Sequence, residues 1–122
     1  MKNNITKNKT MEFAVRIVKL SNYLKDTQKE FVLSEQLFKY GTAIAANVHE
    51  AQNTASKKDF INKMYCALQE ANSTEYWLEL LFQTKYLSNK EFDSIHVNCK
   101  ELIGLLTAIV KTAKKNEENQ YK

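Results

Sequence analysis

The sequence predicts an all-α protein folded as an antiparallel up-down-up-down four-helix bundle, and three observations predict it. The 122 residues include two Gly and no Pro, whereas sheets need turns that lean on Gly, Pro and Asn-Gly or Asp-Gly pairs. Apolar residues recur at spacings of three and four along four separate segments, the repeat of one helix face. The joints between those segments are short and polar, which favours antiparallel neighbours. A chain of this length builds one core. Its 43% hydrophobic and 26% charged composition is that of a globular domain.

Residues 1–9 are polar and lysine-bearing and are expected to form a flexible arm, with the bundle over 10–116. The first helix starts near Thr10 with a stripe of Phe13, Ile17, Leu20 and Leu24, widened by Val15 and Val18. A polar joint, Lys25 to Glu30, follows. Ser34 is a good N-cap residue for the second helix, with Leu33 as a staple, and the stripe runs Leu37, Tyr40, Ile44, Val48, Ala51. Between Leu37 and Ala55 only Lys39, His49 and Glu50 can carry charge near neutral pH, while Gly41, Ala43, Ala45 and Ala46 are small. A helix so poor in charge packs on two sides, and Gly41, at a cost of about 1 kcal/mol against Ala, implies a close backbone approach.

The third helix, within residues 56–87, is the longest unbroken apolar pattern and would span roughly 45 Å. Ser56 to Asp59 resembles a capping box at its start. Phe60, Met64, Ala67, Ala71, Thr74, Leu78 and Leu81 form its main stripe, and Ile61, Tyr65, Leu68, Tyr76, Trp77 and Leu80 add a second apolar surface. Such a helix is covered on more than one side, so a second subunit is expected, with Tyr40, Ala45, Tyr65, Tyr76 and Trp77 as candidate interface residues. Ser88-x-x-Glu91 is a full capping box for the fourth helix, whose stripe is Phe92, Ile95, Cys99, Leu102, Leu106 and Ile109. Lys111, Lys114 and Lys115 suit its C-terminus, and residues 117–122 form a fraying tail.

No run of eighteen apolar residues predicts a membrane span, and no apolar core follows the lysine-bearing N-terminus to make a secretory signal. Two cysteines give no disulfide framework, so a reduced cytoplasm is expected. Formal net charge is +4 with a pI near 9.0. Residues 1–32 hold seven basic and three acidic side chains, a net of +4. An antiparallel bundle would gather Lys2, Lys7, Lys9, Lys57, Lys58, Lys111, Lys114 and Lys115 at one pole, where repetition around an oligomer axis would strengthen the field.

Catalytic patterns are missing: there is no G-x-S-x-G, Walker loop or Rossmann glycine pattern. Cys66, His96 and Cys99 could surround zinc, yet without a C-x-x-C pair they read as buried apolar cysteines beside a histidine. A di-iron centre needs Glu three residues before His, and positions 46 and 93 are Ala and Asp. Glu75 and Glu79, one turn apart, read as salt-bridging residues before they read as an acid pair. No enzyme activity, metal, cofactor or small-molecule substrate is expected.

The segments FAVRIVKL (13–20), KYGTAIAANVHEA (39–51), SKKDFINKM (56–64) and ALQEANSTEYWLELL (67–81) resemble the bacterial four-helix bundle family of 23S rRNA intervening-sequence proteins. The resemblance implies an antiparallel bundle, commonly a ring of five subunits, with no attached enzyme activity. It also implies an analogy to a similar bundle that accompanies the reverse transcriptase of diversity-generating retroelements, where a basic surface engages nucleic acid. Here the family's Arg-Ser before the glycine is Lys39-Tyr40, so a bidentate phosphate fork becomes a point charge. Two functions follow as expectations. One is sequence-nonspecific RNA or DNA binding through Lys7, Lys9, Lys39, Lys57, Lys58, Lys111, Lys114 and Lys115 of a homopentamer. The other is an oligomeric scaffold for a protein partner, without nucleic acid.

Overall fold

A computed structural model describes the backbone of residues 2–120 and the side chains of residues 5–118. Four helices make up the fold: α1 Lys2–Asp26, α2 Val32–Ala51, α3 Lys57–Gln83 and α4 Asn89–Gln120. Matched contacts give their directions. Ile17 and Ser21 of α1 meet Gly41 and Ser34 of α2, while Tyr40 and Glu50 of α2 meet Trp77 and Lys63 of α3. Ala71 and Phe82 of α3 meet Cys99 and Phe92 of α4. Lys9 and Arg16 of α1 meet Glu101 and Ser94 of α4. In each pair one number rises as the other falls, so all four neighbouring pairs run antiparallel. Diagonal backbones stay apart, and α1 approaches α4 least.

The core forms where the four stripes face inward. Ile17, Leu24, Leu37, Ile44, Val48, Leu78, Leu81 and Leu106 are wholly buried, and burial of each such side chain is worth about 1.5–3 kcal/mol. Thr10 and Thr74 are buried too, and each hydroxyl donates to the carbonyl four residues back, at 2.9 and 2.7 Å. This local bond is how a helix accepts a buried threonine. Val15, expected to widen the core, is 46% exposed instead.

Three boundaries differ from those the sequence suggested. Residues 2–9, expected as a flexible arm, continue α1, and Thr6 within them is buried. Residues 117–120 continue α4, and 121–122 lie outside the described residues. The start of α2 is capped by Glu30 rather than Ser34. The buried Glu30 carboxylate accepts from the backbone N–H groups of Val32, Leu33 and Ser34 at 3.2, 2.9 and 2.7 Å. Three of the orphan donors of the first turn are thereby satisfied by one side chain of the right charge for a helix N-terminus. Ser34 lies inside the helix, its hydroxyl donating to the Glu30 carbonyl at 2.7 Å.

The other caps agree with expectation. Ser56 accepts from the Asp59 N–H at 3.1 Å. The Ser88–Glu91 box is reciprocal, at 3.1 and 2.8 Å. Lys29 and Lys85 hold left-handed backbone, φ 57° and 69°, in places usually given to Gly. After α3, Tyr86 and Lys85 donate to the carbonyls of Leu81 and Phe82, a Schellman closure without glycine.

Gly41 marks the tightest helix contact. A Cβ there would stand 2.7 Å from both Cγ1 and Cγ2 of the wholly buried Ile17, whereas at Gly104 it would meet nothing within 4 Å. Gly41→Ala is expected to lose about 1–3 kcal/mol, overpacking outweighing better helix propensity. Gly104→Ala is expected to gain about 0.5–1 kcal/mol from propensity alone. Urea unfolding of the two variants checks the opposite signs. Glu30→Ala, which leaves three donors of the α2 start without their carboxylate, is expected to cost about 1–3 kcal/mol in the same measurement.

Candidate functional site

The start of α1, the α2–α3 joint and the end of α4 share one end of the bundle. Ile5, Phe60, Leu105, Ile109 and Asn116 from these segments line a common open cavity of about 460 Å³. Lys7, Lys57, Lys58, Lys111 and Lys115 are exposed at this end. Lys9 is committed elsewhere, its Nζ lying 2.9 Å from Glu101 Oε1. The Lys114 ammonium sits 5.2 Å above the Tyr65 ring. Lys39 lies halfway along α2, over the Tyr40 ring at 5.2 Å. Five of the eight candidate lysines therefore form an uncommitted basic end, and three have partners within the chain.

The interface candidates divide as well. Tyr40 stacks against Trp77 across α2 and α3, with ring centroids 6.5 Å apart and planes 15° apart. Tyr76, 57% exposed, meets the same indole edge-on at 4.9 Å. These three aromatics form one patch on the outer α2–α3 side. Tyr65 lies three turns away, under Lys114 on the α4 side. Ala45 is buried within the chain and has no surface to offer a second copy; the exposed small residue beside it is Ala46.

His96 does not face the cysteines. Its Nε2 lies 3.0 Å from Glu75 Oε2 and 3.9 Å from Glu79 Oε1, and Phe92 stacks on the ring at 4.5 Å. These three ligand atoms, within 4.8 Å of one another, are the one group among the described residues with the spacing to hold a metal ion. The 3.0 Å hydrogen bond already satisfies His96 and Glu75 as a pair, tying α3 to α4. Cys99 is buried with its Sγ directed at the Ala71 carbonyl, 3.5 Å away. Burial first, and the Glu75 charge second, push its thiol up to about 12. Cys66 is exposed on α3.

One basic locus escaped the sequence reading. Arg16, Lys19 and Lys90 border a second open cavity of about 400 Å³ between α1 and α4, floored by Leu20 and Ile95. It lies towards the end of the bundle opposite the lysine-rich one. Two nitrogens of the Arg16 guanidinium donate to Ser94, to the hydroxyl at 3.0 Å and the carbonyl at 3.3 Å. The available signal was the i, i+3 spacing of Arg16 and Lys19, but Lys90 joins them only through the α1–α4 pairing.

No helix among the described residues is long and apolar enough to cross a membrane. Residues 2–108 match the family described as 23S rRNA-intervening sequence protein. The chain is also similar to the 1.70 Å crystal structure of a protein of unknown function from the S23 ribosomal protein family of Bacteroides thetaiotaomicron VPI-5482. That similarity has a TM-score of 0.89 at 50% sequence identity and covers 91% of this chain and 99% of the other. No curated protein matches the sequence.

The two thiols are expected to separate in reactivity. With its pKa pushed up to about 12, Cys99 at pH 8 holds on the order of one thiolate in ten thousand. A thiol reagent at pH 8 should label Cys66 in the folded protein and reach Cys99 only in denaturant. Mass spectrometry of peptides checks this, and prompt labelling of Cys99 would contradict its placement.

Proposed function

Since this chain belongs to the 23S rRNA-intervening sequence protein family, we propose that it works in the cytoplasm, without catalysis, as a homo-oligomer of five copies. Its repeated lysine surface holds RNA or DNA without regard to sequence. The observation that carries the assembly is the Tyr40–Trp77–Tyr76 patch, three contiguous rings on the outside of α2 and α3 with Tyr76 57% exposed and the other two half-buried. An exposed patch of that kind, bordered by polar residues, is typical of an interface. The basic end supports the ligand. Lys7, Lys57, Lys58, Lys111 and Lys115 are exposed there with no ion pair among the described residues, and several copies would multiply the attraction for phosphate.

A protein-binding scaffold is the second reading, and one observation favours it. Lys9 is ion-paired, and Lys39 and Lys114 lie over aromatic rings, which leaves fewer cations for phosphate than the sequence offers.

Salt separates the two. Light scattering should first give a mass of several chains. The assembled protein should then shift generic RNA and DNA at 50 mM salt and lose about a hundredfold or more in affinity by 200 mM, because phosphate contacts release counterions. Lys57→Gln/Lys58→Gln/Lys115→Gln should weaken binding on every sequence and flatten the salt slope. An assembled oligomer that shifts no nucleic acid at 50 mM salt overturns the nucleic-acid role in favour of the scaffold.

A further inference from the structure

The histidine at the α3–α4 seam faces more carboxylate than one hydrogen bond needs. Glu75 and Glu79 stand one turn apart on α3, so their side chains share a face of that helix. His96 of α4 meets that face with Nε2, 3.0 Å from Glu75 Oε2 and 3.9 Å from Glu79 Oε1. The first contact is a hydrogen bond. The second is too long for one, yet it is the one ion-pair contact of Glu79 among the described residues. No lysine or arginine there lies within ion-pair distance of either carboxylate. With both glutamates ionised, the trio is net negative whether the imidazole is charged or neutral.

The ring is also held in place. Phe92, one turn before it on α4, stacks on the imidazole with centroids 4.5 Å apart and planes 19° apart. Phe82 of α3 stacks in turn on Phe92 at 4.4 Å. This column of three rings, crossing from one helix to the other, fixes the plane from which Nε2 points, as a preorganised ligand requires.

We propose that His96 Nε2 and the carboxylates of Glu75 and Glu79 bind a divalent first-row transition ion of the zinc class, which ties α3 to α4 and keeps a position open to water. The proposal is independent of the nucleic-acid and scaffold readings. An imidazole nitrogen with two carboxylate oxygens suits such an ion, and three protein ligands leave room for a fourth from solvent. Donor atoms around a tetrahedral zinc, with bonds of about 2.0–2.2 Å, lie about 3.3–3.6 Å apart. The 3.0 and 3.9 Å separations straddle that range, and all three donor atoms fall within 4.8 Å of one another. Rotation of the exposed Glu79 side chain closes the remaining distance without moving a helix. The ion would take the place of the proton that His96 and Glu75 share, and its charge would answer the surplus carboxylate. Cys99 stays outside the set, its Sγ directed at the Ala71 carbonyl. Magnesium and calcium, which take six or more oxygens, fit this donor set poorly.

The test uses the full chain carrying Cys66→Ser, which removes the exposed thiol as a competing ligand. Freed of metal and titrated with Co2+, it should take up one ion per chain, read as visible d–d absorption that Zn2+ abolishes and Mg2+ leaves unchanged. With Zn2+ about a hundredfold above its dissociation constant, the thermal midpoint should rise by about 5 °C or more. Glu79→Gln and His96→Gln should each weaken Zn2+ binding about tenfold or more, while His49→Ala, at the exposed histidine of α2, should leave it unchanged. Circular dichroism checks that each variant folds, and Glu79→Gln, on the surface, decides the matter should His96→Gln not fold. Absence of uptake by the folded protein, or uptake that Glu79→Gln and His96→Gln leave at full strength, overturns the site and leaves His96 and Glu75 as a helix-pairing hydrogen bond.

Discussion

The backbone of α2 at Gly41 rests against Ile17 with no room for a methyl group, and the rest of the bundle is arranged around that approach. Bringing α1 this close on one flank lets Phe13, Ile17 and Leu24 interdigitate with Leu37, Ile44 and Val48. On the other flank the Tyr40–Trp77 stack and the Glu50–Lys63 pair join α2 to α3. On the fourth side the Lys9–Glu101 pair and the Arg16–Ser94 bonds join α1 to α4 at its surface, but the two backbones lie farther apart. No loop ties α1 to α4, and the open cavities bordered by Arg16 and by Ile5 lie along that seam. Tightness on the α2 sides and openness at the α1–α4 seam are two results of one choice of side-chain size.

Much of this could be read from the residues, and the part that could not has physical reasons. Ser56 and the Ser88–Glu91 box are local signals, and local chemistry decided them. The buried faces of α3 and α4 were largely legible because long stripes of Leu, Ile and Ala keep their phase over several turns, though at the start of α3 Ile61, assigned to the second surface, is buried and Phe60 of the main stripe is half-buried. Glu30 was not legible as a cap because it stands before Phe31 and reaches forward to three donors, while Ser34 is the commoner capping residue in the commoner position. Residues 2–9 read as an arm because Ile5 is their one large apolar group; yet Thr6 and Thr10 are buried, and a threonine such as Thr10 that bonds its own helix is invisible to hydrophobic periodicity. Lys29 and Lys85 hold the left-handed turns where glycine would have announced a boundary.

The candidate sites show the same division between composition and placement. Counting lysines identified a basic end, but a count could not reveal that Lys9 is held by Glu101 or that the Lys114 charge lies on Tyr65. The His96 environment also depended on helix pairing. Spacing alone suggested Cys99 as its companion, because the two share a helix, yet the α3–α4 register presents Glu75 instead. Cys99 turns inward and becomes an inert core residue. Arg16 and Lys19 reach Lys90 only because α1 and α4 run antiparallel.

Charge is the last constraint to follow from packing. A helix at the edge of a monomer gains solubility from lysines and glutamates along its outer row, and α4 carries many. The outer row of α2, Glu35, Lys39, Thr42, Ala46 and His49, has one basic and one acidic residue besides His49, although all but the half-buried Thr42 are exposed. Desolvating a charge without a partner costs several kcal/mol, so in the proposed oligomer a surface crowded by its own copies would tolerate few of them. Thr42 and Ala46 satisfy that limit, and Lys39 lays its ammonium over the Tyr40 ring, 5.2 Å from the centroid, so its charge has a partner within the chain. Small size at Gly41 and small size at Ala43 and Ala46 therefore act on different sides of one helix: the first lets α1 in, and in the proposed oligomer the others would admit a second copy.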